Sequence, residues 1–312
     1  MAPGFWLLAP AFCLLASGVP GGFPPKGQVS SARKIDLRYD GLNRYYLLQP
    51  VDDPGRHPVV VLLHGGTQDA AQVWRETSLP ALGRSHHFVV VAPNAVNKHW
   101  NDGRGAVLGG KVSSADDVGF LRKIVEDVIA RYRGDPRAIF MVGASNGGFM
   151  TMRFACEAGG LLHAAASVIS DLPEKQASSC AAPPLPWLAM NGTKDPIVPF
   201  DGMPGGTIKN GQSQPALLSA GATFRFWAGR DGCGPSIASD RLPHRNPSDP
   251  TWAERRVCIG SRGKQSVQYV FHGGGHSWPG LQYGPLIRRF IGVSNQDVDA
   301  GEALWSFFES TL

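Results

Sequence analysis

The strongest constraint on the fold is a series of nearly continuous apolar runs. HPVVVLL (57–63), HHFVVVAP (86–93), RAIFMVG (137–143), HAAASVIS (163–170) and PWLAMNG (186–192) carry few polar side chains between them. A strand with one face in water alternates apolar and polar residues. A strand without that alternation is buried on both faces, as in parallel sheets covered by helices. Helical spacing fills the intervals. Val118, Leu121, Val125, Val128 and Tyr132 recur at helical period after a capping box of Ser114 and Asp117. NGGFMTMRFACEAGG (146–160) reads as a helix stopped by Gly159-Gly160. SVQYVFH (266–272) is a further strand, and helices are expected around 213–222 and 301–310. KIDLRYDGLNRYYLLQP (34–50) predicts a β-hairpin turning at Asp40-Gly41. The pattern is α/β: a mostly parallel central sheet with helices on both faces.

Residues 34–312 form one domain in this reading. The chain has 312 residues, 43% of them hydrophobic, enough for one large core. There are no internal repeats and no linker to a separate binding module. Residues 1–22 read as a signal peptide: the apolar run from Phe5 to Ala16 is too short for a bilayer, which needs about 20 residues. Residues 23–33 are a polar lead-in. The expected location is secreted or periplasmic, with no membrane span. The net charge of +5 is scattered, so nucleic acid is not an expected partner. Without the signal peptide four cysteines remain: Cys156, Cys180, Cys233 and Cys258. None has the spacing of a zinc site, and an even count in an exported chain predicts two disulfides. Chain direction makes the local pairing 156–180 and 233–258 plausible; the other two connectivities stay open.

Gly143-Ala144-Ser145-Asn146-Gly147 is a G-x-S-x-G motif at a strand-to-helix corner. A side chain at either outer glycine position would collide with neighbouring backbone. The corner lifts the Ser145 hydroxyl above the sheet edge and aims a helix N-terminus at it. A serine needs a base, and in this arrangement the chain order is serine, acid, histidine. Of the later histidines, His276 lies in the loop HGGGHSWPG after the last strand, on the side where Ser145 is displayed. His276 is the expected base and His272, at the strand end, the alternative. Three glycines between these two histidines oppose their acting as a helical i,i+4 metal pair, and serine-triad chemistry implies no metal and no organic cofactor. Asp195, after the strand at 186–192, is the expected acid that orients His276, with Asp171 the alternative. The His64-Gly65-Gly66-Thr67 loop ends the first central strand. Gly66 and Asn146 are expected to give backbone N–H groups to an oxyanion hole, with Thr67 next in line. Trp278 is expected either to border the substrate or to pin its loop.

These motifs occur together in a recognisable order. LLHGG, WNDGRG (100–105), DDVGFL (116–121), GASNGG, NGTKDPIVPF and GGGHSWPG resemble the α/β-hydrolase esterases of the poly(3-hydroxybutyrate) depolymerase-like family, to which feruloyl and acetyl-xylan esterases are related. The resemblance covers roughly residues 34–310 and implies the same triad of Ser145, Asp195 and His276. It also suggests Trp100 as a pocket wall. The family's usual Gly-Thr-Ala-Asp is here Gly192-Thr193-Lys194-Asp195, a small departure. Asp116 and Asp117 read as ordinary acidic residues at a helix start.

The expected activity is a serine esterase without a large lid, since only Asp171 to Pro184 follows the sixth strand. Its partner is an ester substrate, either a small molecule or an oligomer. Hydroxyalkanoate oligomers or short-chain esters head the list, with feruloyl or acetyl groups on plant polysaccharide as the alternative. A peptidase is disfavoured because no extra domain gates the site. A non-catalytic binding protein on the same scaffold is the reading from another class, and the presence of all three triad residue types opposes it.

Overall fold

The computed structural model describes residues 25–105, 113–209 and 212–312. The segment 1–22, expected from the sequence to be a signal peptide, lies outside the described residues. In chain order the elements are β1 (Arg33–Tyr39), β2 (Leu42–Gln49), β3 (His57–Leu63), α1 (Ala70–Glu76), α2 (Leu79–Ser85), β4 (Val89–Pro93), α3 (Asp117–Arg131), β5 (Gly134–Ala144) and α4 (Asn146–Ala158). They continue with β6 (Ala164–Val168), α5 (Glu174–Ser179), β7 (Trp187–Gly192), β8 (Ile208–Lys209), β9 (Gln212–Ser213), α6 (Ala220–Arg230), β10 (Ala238–Arg241), β11 (Trp252–Ile259), β12 (Gln265–His272), α7 (Pro285–Ile291) and α8 (Ala300–Thr311).

Among the described residues the main sheet has ten strands in the order β1-β2-β4-β3-β5-β6-β7-β12-β11-β10, and β8 and β9 form a separate small ribbon. The centre, from β4 to β12, is parallel. The flanks β1–β2 and β10–β11 pair antiparallel. The apolar runs occupy the parallel centre because successive side chains feed opposite cores. Val59, Val61, Ile139 and Met141 join one core with residues of α3, α4 and α6. Val60, Leu62, Phe140 and Val142 join the other with residues of α1, α2 and α8. Aromatic pairs fasten helices to strands: Trp187 stacks on Trp227 at 4.0 Å, and Phe140 on Phe308 at 4.6 Å. Burying each such side chain contributes about 1.5–3 kcal/mol.

Three expectations need correction. The cap of α3 is Asp116, whose carboxylate accepts from Gly119 N–H at 2.9 Å, rather than Ser114. The helix expected at 213–222 starts at Ala220, where the Ser219 hydroxyl accepts from Ala222 N–H. β10 and β11 were not expected, because charged residues such as Glu254, Arg255 and Arg256 interrupt the apolar pattern of an outer strand. Residues of the polar lead-in are also bound to the domain. Lys26 Nζ lies 2.6 Å from Asp299, and Gly27 N–H donates to Thr77 O at 3.0 Å.

The structure pairs Cys156 with Cys180 and Cys233 with Cys258, with Cα separations of 4.7 and 5.8 Å. Both bridges close loops local in sequence. Cys156 sits near the far end of α4 from Ser145, so this bridge lies at the end of the sheet away from the site.

Candidate active site

The parallel strands all deliver their carboxyl ends to one edge, the usual place for a ligand site in an open α/β sheet. There a cavity of about 430 Å³ is lined by Gly66, Ser145, Asn146 and His276.

Ser145 joins β5 to α4 with φ 52 and ψ −120, a conformation that a non-glycine residue rarely adopts. The corner survives because its neighbours lack side chains. A Cβ on Gly143 would lie 2.2 Å from the Gly147 carbonyl, and one on Gly147 would lie 2.5 Å from Leu63 O. Ser145 N–H donates to Val168 O at 2.9 Å, which ties the corner to β6. The Asn146 side chain fixes the far wall. Its Oδ1 accepts from Trp100 N–H at 2.8 Å, and its Nδ2 donates to Asp102 at 2.6 Å.

His276 and Asp195 meet across 81 residues of sequence. His276 Nδ1 donates to Asp195 Oδ2 over 2.7 Å, so Nε2 is the ring nitrogen left to accept a proton. The other Asp195 oxygen accepts from Ile197 N–H at 2.7 Å and Val198 N–H at 2.8 Å, which fixes the carboxylate plane. Asp171 lies behind this pair. It accepts from Asn191 Nδ2 at 3.1 Å, and its second oxygen is buried without a partner. Burial, and secondarily the charge of Asp195, raise the Asp171 carboxyl well above the usual carboxylate range. His272 is turned elsewhere: it stacks on Trp252 at 3.7 Å and its Nε2 contacts Glu254 at 2.9 Å. Of the four alternatives, the structure brings Asp195 and His276 together and holds Asp171 and His272 apart from that contact.

The loop after β3 has its own supports. His64 Nε2 accepts from Ala95 N–H at 3.0 Å, so Nδ1 carries the proton and donates to Gly65 O at 2.7 Å. Burial holds this imidazole down at about 4, neutral and suited to both bonds. Gly65 N–H donates to Gln68 Oε1 at 2.9 Å and Thr67 N–H to Lys98 O at 3.0 Å. Thr67 N–H is therefore spent, and Gly66 N–H has no partner among the described residues. Gln68 Nε2 in turn donates to both oxygens of Glu76, at 2.8 and 3.0 Å. Glu76 also lines the cavity, and burial raises its carboxyl above the usual range. Gln68 and Glu76 belong to none of the sequence motifs that mark the site.

Trp278 lines the cavity, while Ser294 Oγ donates to its carbonyl at 2.7 Å and holds its loop. Trp100 does not fit the pocket-wall expectation. It is buried behind the β3 loop, with Nε1 donating to His64 O at 2.9 Å. The DDVGFL motif supports the same region: buried Asp117 pairs with Arg44 at 2.7 Å and accepts from Asn101 N–H at 2.6 Å. One flank of the cavity is apolar, with Phe149, Val198, Met203 and Leu217. At another side stands α7, whose Ile287 and Ile291 line the cavity while Leu286 and Phe290 are exposed. This helix is not among the elements expected from the sequence.

The architecture is that of the α/β-hydrolases. A solved acetyl xylan esterase from Aspergillus awamori matches 90% of this chain and 99% of that chain, with a TM-score of 0.56 and 16% identity. The family resemblance is borne out more specifically: residues 43–182 match the family model described as Esterase PHB depolymerase. Among curated relatives, the chain is 25% identical over 293 residues to a provisionally named esterase, NocK, of Nocardia uniformis subsp. tsuyamanensis, covering 91% of this chain and 84% of that protein. It is also 25% identical over 281 residues to Feruloyl esterase C of Emericella nidulans, covering 85% and 83%. The family-model match and the curated relatives support an ester hydrolase of the poly(3-hydroxybutyrate) depolymerase and feruloyl esterase type.

Proposed function

We propose that this protein is an exported serine esterase that works through an acyl-enzyme. The observation that carries the reading is the His276–Asp195 pair on the same cavity as Ser145, whose backbone is held at a strained corner. Ser145 Oγ attacks the ester carbonyl carbon, and His276 Nε2 takes its proton. Asp195 keeps the imidazole in the tautomer that can do so and stabilises the imidazolium. The N–H groups of Gly66 and Asn146 receive the negative oxygen of the tetrahedral intermediate. His276 returns the proton to the departing alcohol. Water, activated by the same histidine, then attacks the acyl-enzyme and releases the acid. The two disulfides support export. Among the described residues no helix is long and apolar enough to cross a membrane.

Hydroxyalkanoate oligomers or short-chain esters are the first substrate class, supported by the match to the depolymerase family model. A feruloyl or acetyl ester on plant polysaccharide is the second, supported by the likeness to a protein named feruloyl esterase C and by the apolar flank that an aromatic acyl group would contact. The test is a hydrolysis panel of p-nitrophenyl acetate and butyrate, methyl ferulate, hydroxybutyrate oligomers, acetyl-xylan and a peptide amide. Turnover of esters without the amide is expected. Ester binding with no turnover of any ester would favour a binding protein on a hydrolase scaffold.

A further inference from the structure

The loop that follows β4 places a second histidine at the cavity. His99 is 5% exposed, and its ring lines the same space as Gly66 and Ser145. Its Nδ1 lies 3.1 Å from Asn97 O. A carbonyl can only accept, so Nδ1 carries the proton of the neutral ring and Nε2 is a bare lone pair. That Nε2 is buried and has no hydrogen-bond partner among the described residues. An acceptor left so costs about 1–3 kcal/mol unless something supplies a donor.

The position of the lone pair narrows what that donor is. A Cβ built on Gly66 would come within 3.4 Å of both His99 Nε2 and Cδ2, and within 3.5 Å of the Asn146 Cβ. The room that a side chain at residue 66 would fill is therefore bordered by His99 and by the two residues proposed to bind the oxyanion. A lone pair repels an anionic oxygen, so neutral His99 is no part of the oxyanion hole. It suits an O–H donor carried by the substrate close to the reacting ester. The backbone around it is strained in a way that supports function. Asn97, Lys98 and Thr67 adopt φ of 50, 61 and 66, and Thr67 N–H is bonded to Lys98 O. Left-handed conformations at non-glycine residues persist where the surroundings enforce them, and they cluster at ligand sites. Gln72 Oε1, another buried acceptor without a partner, belongs to a residue lining the same cavity.

We infer that His99 is a specificity residue whose Nε2 accepts a hydrogen bond from a hydroxyl group of the substrate, so that the enzyme selects esters bearing a free hydroxyl near the scissile bond. The inference rests on the esterase reading. Two matched pairs separate the possible sources of the hydroxyl: methyl 3-hydroxybutyrate against methyl butyrate for the acyl side, and 2-hydroxyethyl butyrate against ethyl butyrate for the alcohol side. In wild type, one pair should favour the hydroxyl ester in kcat/KM by about tenfold or more, the cost of leaving a buried acceptor unpaired. In His99→Phe that ratio should collapse toward 1, and in His99→Gln, whose amide oxygen can accept, part of it should return. Each ratio is taken within one preparation, so the fraction of enzyme folded does not enter it. Turnover with no hydroxyl preference in wild type, or a ratio unchanged in His99→Phe, overturns this inference alone. Absence of turnover on all four esters overturns the esterase reading together with it.

Discussion

The Ser145 side of the cavity is built from consecutive residues, 143–148, whereas the His276 side is assembled from three distant segments. On the first side the constraint is steric: glycines 143, 147 and 148 are packed so closely that any Cβ would overlap its neighbours. On the second side the constraint is a set of backbone hydrogen bonds. Lys194 N–H donates to Gly274 O at 2.8 Å, Gly275 N–H to Val293 O at 2.7 Å, and His276 N–H to Ile291 O at 2.5 Å. The loops after β7 and β12 and the segment ending α7 thus hold one another. A defect at the glycines of the first side should therefore act through shape and stability, and one on the second through proton transfer.

Apart from loss of the Ser145 hydroxyl itself, the largest expected effect lies on the second side. Asp195→Asn keeps the shape but removes the charge and the tautomer control, so kcat/KM on p-nitrophenyl butyrate should fall by about 10³–10⁴-fold. Asp171→Asn should change it by about threefold at most, because His276 bonds Asp195 and not Asp171, whose contact is with Asn191 and whose burial raises its carboxyl above the usual range. The reverse ranking would mean that the acid has been assigned to the wrong carboxyl. Next in size is Gly147→Ala, whose methyl would meet Leu63 O and His64 O. It should cost about 1–3 kcal/mol of stability by urea unfolding, as overpacking does. Gly284→Ala, where nothing lies within 4 Å, should shift stability by less than about 0.5 kcal/mol. Equal losses would remove the steric half of the comparison.

A comparable effect, confined to acid, concerns His64. Its folded pKa of about 4 is below the ordinary value, so the unfolded chain binds this proton more readily. The stability it contributes is complete above about pH 6.5 and is lost as pH falls toward about 4, a change of roughly 3 kcal/mol. Urea midpoints measured from pH 7 to pH 4 should fall more steeply in wild type than in His64→Gln. Parallel slopes would show that His64 is not the buried neutral pin described here.

The difference between the two sides also explains what could be read from the sequence. The Ser145 corner was legible because all of its determinants are adjacent: an apolar run, glycines at fixed spacing, and a helix. The parallel centre was legible because burial on both faces leaves an unbroken apolar signature. The outer strands β10 and β11 were not, since charged side chains mask them. Helix α7 was missed because Leu286, Ile287 and Phe290 give no amphipathic stripe directed at a core. Trp100 was misplaced for another reason: its position in a loop at the catalytic edge does not tell which way the ring turns, and here it turns beneath His64. Thr67 was a reasonable oxyanion candidate until the fold committed its N–H to Lys98, a partner 31 residues away.

The central claim is that Ser145 becomes covalently acylated, and active-site labelling tests it most directly. Protein treated with a fluorophosphonate ester should gain the mass of one adduct, and peptide mapping should find it on Ser145. Ser145→Ala should gain none and lose nearly all turnover while melting as wild type does. A Ser145→Ala protein that still takes up the label or hydrolyses p-nitrophenyl butyrate at the wild-type rate would contradict the account.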